Sequence, residues 1–114
     1  MIYYHGHSEK ELLINNYQKS RYGFTCLFFT DNKELAECYG NNILSLCIPI
    51  YKKIDFGNKI SHSAEFRNLI YKLRNENNKT VAIENVYDRP NDDYILHKGT
   101  IVVVFDIEII KNRI

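Results

Sequence analysis

Apolar positions along this chain fall into short bursts between polar breaks, and the period inside each burst sets the element it predicts. Residues 24–30, Phe-Thr-Cys-Leu-Phe-Phe-Thr, are aromatic and β-branched, follow Gly23 and are too short for a helix, so they read as a buried strand. Asp31 then stands as an N-cap with Glu34 three residues on, which predicts a short helix carrying Leu35 and Tyr39 on one face. Upstream, residues 2–5 form a strand that ends at Gly6. Ser8 and Glu11 make a second capping-box candidate for a short helix within residues 8–20, with Leu12, Leu13 and Ile14 as its apolar patch and Asn15-Asn16 as a breaker.

Beyond Gly40, residues 43–51 predict a second strand that frays or lies at an edge near Pro49, and residues 52–57 a turn out of it. Phe66, Leu69, Ile70 and Leu73 follow the i, i+3, i+4, i+7 rule, so a packing helix runs over 63–75 with Arg67, Lys72 and Arg74 off its stripe. Residues 80–87 predict a strand whose faces alternate, Ala82, Glu84 and Val86 on one side, Val81, Ile83, Asn85 and Tyr87 on the other. Residues 88–93 are a loop. Residues 100–106 are nearly continuous in β-branched side chains and predict a central strand, followed by a strand tail or turn.

At 114 residues the chain is expected to form one domain, 1–114, large enough to bury a core without disulfides. A net charge of +1 gives no global electrostatic pull toward nucleic acid or membrane. Cys26, Cys38 and Cys47 form no Cys-x-x-Cys pair and read as buried thiols of a reducing compartment. With no signal peptide, long apolar run or lipidation motif in view, a soluble cytoplasmic protein is expected. Metal-ligand spacing, a Gly-rich phosphate loop and a nucleophile elbow are absent from the sequence, so no metal is expected.

Tyr4-His5-Gly6 on the first strand, Phe28-Phe29-Thr30-Asp31 on the next, and Tyr39 at the end of the following helix form an ordered set. It resembles the NAD site of the diphtheria-toxin-like ADP-ribosyltransferases, the clan of the poly(ADP-ribose) polymerases. Short phage and mobile-element members, an anti-CRISPR ADP-ribosyltransferase among them, are nearest in size. Val81-Ala82-Ile83-Glu84-Asn85-Val86 and Val104-Phe105-Asp106 with Ile110-Lys111 carry the resemblance to the chain's end.

The resemblance implies a single-domain α+β fold of two small antiparallel sheets flanking an NAD cleft, with two to three short helices. It implies NAD as cosubstrate, held by His5, Gly6, Arg21, Phe28, Thr30 and Tyr39, with the nicotinamide between Phe28 and Tyr39, His5 on a ribose hydroxyl and Arg21 near the pyrophosphate. The implied activity is mono-ADP-ribosyl transfer to a macromolecule, with a protein target expected, nucleic acid open and no membrane involved, directed at a host defence component. The alternative is a non-catalytic protein of the same fold that inhibits a partner by binding. Phe28 stands where the family usually has Tyr, which keeps the stacking face, and Ala36 stands where many relatives place an amide-binding Ser. For the catalytic acid, Glu84 is favoured beside His5 because a carboxylate in an apolar strand is costly unless it faces a cleft or a cation. A solvent-facing or salt-bridged Glu84 is the plain alternative. Asn85 and Asp88 are weaker candidates, and a vacant position at Ile101 resembles enzymes that recruit the acceptor's own carboxylate.

Overall fold

The computed structural model describes residues 1–11, 14, 17–90 and 95–113. Among the described residues ten elements follow one another: β1 (Ile2–His7), α1 (Lys19–Tyr22), β2 (Leu27–Thr30), α2 (Lys33–Glu37), β3 (Asn42–Cys47), β4 (Lys52–Ile60), α3 (Ala64–Asn75), β5 (Thr80–Asp88), β6 (His97–Val104) and α4 (Glu108–Lys111). The strands form one six-stranded sheet in the order β3-β1-β2-β6-β5-β4. This corrects the expectation of two antiparallel sheets, because β2 pairs with β6 over four residues and carries the ladder across, and β4 runs parallel to β5. The sheet nearly divides all the same. β1 and β2 share a single register pair, Tyr4 with Thr30, whereas β1 pairs with β3 along its whole length.

Two apolar clusters cover the two faces. Tyr22, Cys26, Phe56, Phe66, Ile70, Leu73, Val81, Ile83, Val86, Ile101 and Val103 pack on the α3 face; Tyr3, Leu27, Phe29, Leu46, Ile48, Ala82, Val102, Val104 and Ile110 pack on the other. The α3 stripe buries Phe66, Ile70 and Leu73, and Ser63 caps the helix by accepting from the Phe66 N–H at 3.1 Å.

Several elements differ from expectation. The cap of α2 is Asn32, whose Oδ1 accepts from Leu35 N, because Asp31 is engaged across the sheet with the Thr100 N–H at 2.8 Å. The turn expected at 52–57 is the first part of edge strand β4, and residues 108–111 are a short helix. Of the helix expected within 8–20, Leu12, Leu13, Asn15 and Asn16 lie outside the described residues, as do residues 91–94 of the later loop. Lys19–Tyr22 forms α1 and ends at Gly23, whose φ of +82° suits glycine. Of the three thiols only Cys26 is fully buried; Cys38 is half-buried and Cys47 exposed.

In β5 an extra residue breaks the alternation. Ile83 pairs with Ile101 but Val86 with Gly99, and Asn85 takes a left-handed φ of 57°. Val86 therefore joins Val81 and Ile83 on the α3 face instead of sharing a face with Ala82 and Glu84.

Candidate functional site

Where β1 and β2 separate, a cavity of about 120 Å³ opens between them, lined from both apolar clusters, an order of magnitude above the roughly 10–15 Å³ that one water needs. His5, Gly6, Arg21, Phe28, Thr30 and Tyr39 all line it. These residues come from β1, α1, β2 and the end of α2, and they converge because β1 is packed directly on α2. A Cβ built on Gly6 would lie 1.8 Å from the Ala36 carbonyl oxygen, so only glycine lets the two backbones come this close, and Tyr39 is held just beyond.

His5 plugs the gap between the strands. Its Nδ1–H donates to the Phe28 carbonyl at 2.6 Å, a carbonyl that β1 pairing would otherwise have served. The ring packs edge-on to Tyr17 and against Phe29, and burial holds its pKa below the ordinary histidine value, opposed by the Phe28 hydrogen bond. With the proton on Nδ1, the neutral ring presents Nε2 as an acceptor. That atom is buried and has no hydrogen-bond partner among the described residues. Such an acceptor costs on the order of 1–3 kcal/mol until a donor reaches it.

The depressed pKa has a consequence for stability. Unfolded His5 takes up a proton near the ordinary histidine pKa of 6.5, and the folded protein resists it until lower pH. His5 therefore contributes stability above that value which is lost as pH falls below it. Urea unfolding from pH 7.5 to about 5 should show a falling midpoint, and the fall should shrink in His5→Asn. An equal fall in both proteins would assign the effect to other groups.

Asp88 supplies the cavity's carboxylate. Because of the bulge at Asn85 it shares the α3 face and is 6% exposed. It accepts from the Tyr39 hydroxyl at Oδ2 and from Ser61 Oγ at 2.7 Å on Oδ1, and His62 Nε2 lies 3.7 Å from Oδ1. Burial, then the bond to Asp88, raises the Tyr39 pKa, so the phenol remains a donor. The residue as a whole is 46% exposed and lines the cavity.

Glu84 is not brought to this cavity. It follows Ile83 on β5 before the bulge and so lies with Ala82 on the opposite face, where its charge is felt by Tyr3. Ile101 does line the cavity, as does Phe66, so its floor is apolar where Glu84 or another acid was sought. Sequence reasoning ranked Asp88 low as a loop residue; the signal that could have raised it is Asn85, a residue type tolerant of left-handed backbone inside a strand. Among the described residues no group of His, Cys, Asp and Glu is arranged to hold a metal, and no helix is long and apolar enough to cross a membrane. Comparison of the chain with protein-family models, curated proteins and solved structures finds no match in any of the three.

Proposed function

We propose that the cleft binds NAD and that the chain, a member of the transferase fold it resembles, moves ADP-ribose from NAD to a macromolecular acceptor with release of nicotinamide. The observation that carries this reading is the convergence of all six expected NAD-binding residues on one cavity, where His5 also keeps a buried Nε2 acceptor without a partner among the described residues. A ribose hydroxyl is a donor of the required kind. Phe28 and Tyr39 offer two aromatic surfaces for a flat ring, and Arg21 stands at the same cavity for the diphosphate. In the reaction the bond from nicotinamide nitrogen to the anomeric carbon breaks, its electron pair leaving with nicotinamide. The acceptor nucleophile bonds to that carbon and gives up a proton. Positive charge builds on the sugar, and Asp88, enclosed in the cavity, is the carboxylate placed to oppose it. The setting we propose is a bacterial cytoplasm, with a macromolecule of the host cell as acceptor.

Calorimetric titration with a stable NAD analogue tests binding. One-to-one binding is expected, and Tyr39→Ala should weaken it by about 1–3 kcal/mol, the range for bases stacked on aromatics. Equal affinity in folded wild type and Tyr39→Ala would contradict the stacking role. No binding to wild type, with a partner protein held stably instead, would favour the inhibitor that acts by binding alone.

A further inference from the structure

On the surface beside the cavity, three arginines from two distant segments lie on aromatic rings. Arg21 of α1 and Arg67 of α3 both sit over Tyr22, 5.8 and 6.0 Å from its centroid, and Arg74 sits 4.5 Å over Phe24. Arg67, Tyr71 and Arg74 follow i, i+4, i+7 spacing and so form one stripe of α3, beside the buried Phe66, Ile70 and Leu73. Tyr71 meets the rings of the buried Tyr22 and of Phe24, and Phe24 meets Phe105, so Phe24, Tyr71 and Phe105 make the partly exposed aromatic surface beside Arg67 and Arg74. Phe24, Tyr71 and Phe105 are half-buried while the three arginines are exposed.

Ion pairs among the described residues use Lys52, Lys59, Lys111, His7 and His62, and none uses an arginine. The stripe thus carries three charges without carboxylate partners among the described residues. Seven residues of helix separate Arg67 from Arg74, about 10 Å at 1.5 Å per residue. A ligand that meets all three arginines must carry phosphates in series. Cations tracking a backbone, interleaved with aromatic faces, is the arrangement that holds single-stranded nucleic acid.

We infer that the Arg21–Arg67–Arg74 stripe binds single-stranded nucleic acid and that this is the acceptor presented to the cleft, held there by Arg67 and Arg74 when Arg21, which lines the cleft with Tyr22, meets the diphosphate of NAD. The acceptor role rests on the transfer activity proposed above; the binding does not. Anisotropy titration of fluorescein-labelled oligouridylate and oligothymidylate, in the absence of NAD, separates the two. Saturable binding is expected, with log K falling against log salt at a slope of about −2, three phosphate contacts at roughly 0.7 each. Arg67→Ala and Arg74→Ala should each weaken binding about three- to tenfold and flatten the slope by about 0.7. Arg113→Ala removes the same charge at the end of the chain and should change neither. Arg74→Lys, which keeps the charge, should keep the slope, and far-ultraviolet dichroism checks that each variant is folded. No binding at about 50 mM salt, or equal losses in Arg74→Ala and Arg113→Ala, would overturn the site. If labelled NAD is turned over and the label reaches a protein but never the oligonucleotide, the acceptor role is overturned. If NAD is not turned over while the oligonucleotide still binds with this slope, the transferase reading fails and the site stands.

Discussion

Replacing Asp88 with Asn is expected to lower ADP-ribose transfer by about 100-fold or more, on the order of 3 kcal/mol in the barrier, with NAD affinity within about threefold of wild type. The carboxylate has hydroxyl donors on both oxygens, Tyr39 on Oδ2 and Ser61 on Oδ1. An amide in its place removes the charge that opposes the developing cation and sets an N–H₂ donor against one of those hydroxyls. Glu84→Gln should leave transfer within about threefold, since Glu84 shares the Ala82 face, away from the cavity. Steady-state kinetics on the two variants, with thermal melts to establish that both fold, decides between the carboxylates. If Asp88→Asn transfers normally and Glu84→Gln does not, the acid is Glu84 and the geometry of the cavity has been misassigned.

Gly6→Ala should strongly destabilise the fold. The added carbon would meet Ala36 O at 1.8 Å and Ala36 C at 2.8 Å, both backbone atoms that no rotamer change can move. β1 and α2 must part, at a cost of about 3 kcal/mol or more, the upper end of overpacking effects. The same displacement carries Tyr39 away from the cavity, so NAD affinity should fall with stability. Gly23→Ala is the comparison. Its Cβ meets nothing within 4 Å, and only the φ of +82° opposes it, a penalty of about 1–2 kcal/mol. Urea midpoints for the two variants should differ in that order; a Gly6→Ala protein as stable as wild type would mean that β1 and α2 are not in this contact.

What could be read from the residues depended on how strongly each pattern was tied to burial. The α3 stripe and the β-branched run of β6 face apolar layers directly, and both were legible within a few residues. Strand β4 was not, because an edge strand keeps only Ile54 and Phe56 turned inward and carries Lys52, Lys53, Asp55, Asn58 and Lys59 outward, the charges that also guard an edge from further pairing. The α2 cap moved by one residue because Asp31 and Asn32 are both good caps and only the distant Thr100 N–H selects between them. The six NAD-binding candidates were legible as an ordered set, and the structure gathers them in one cavity. The carboxylate was not. Counting by twos from Glu84 puts Asp88 on the same face, and the one extra residue at Asn85 turns it to the other.

The most direct measurement is nitrogen NMR of the His5 ring during titration with a stable NAD analogue. The account predicts that Nδ1 keeps its proton and its bond to Phe28 while Nε2 shifts to saturation at one analogue per chain, as a ribose hydroxyl supplies the missing donor. An analogue that saturates the protein and leaves Nε2 unmoved would contradict it.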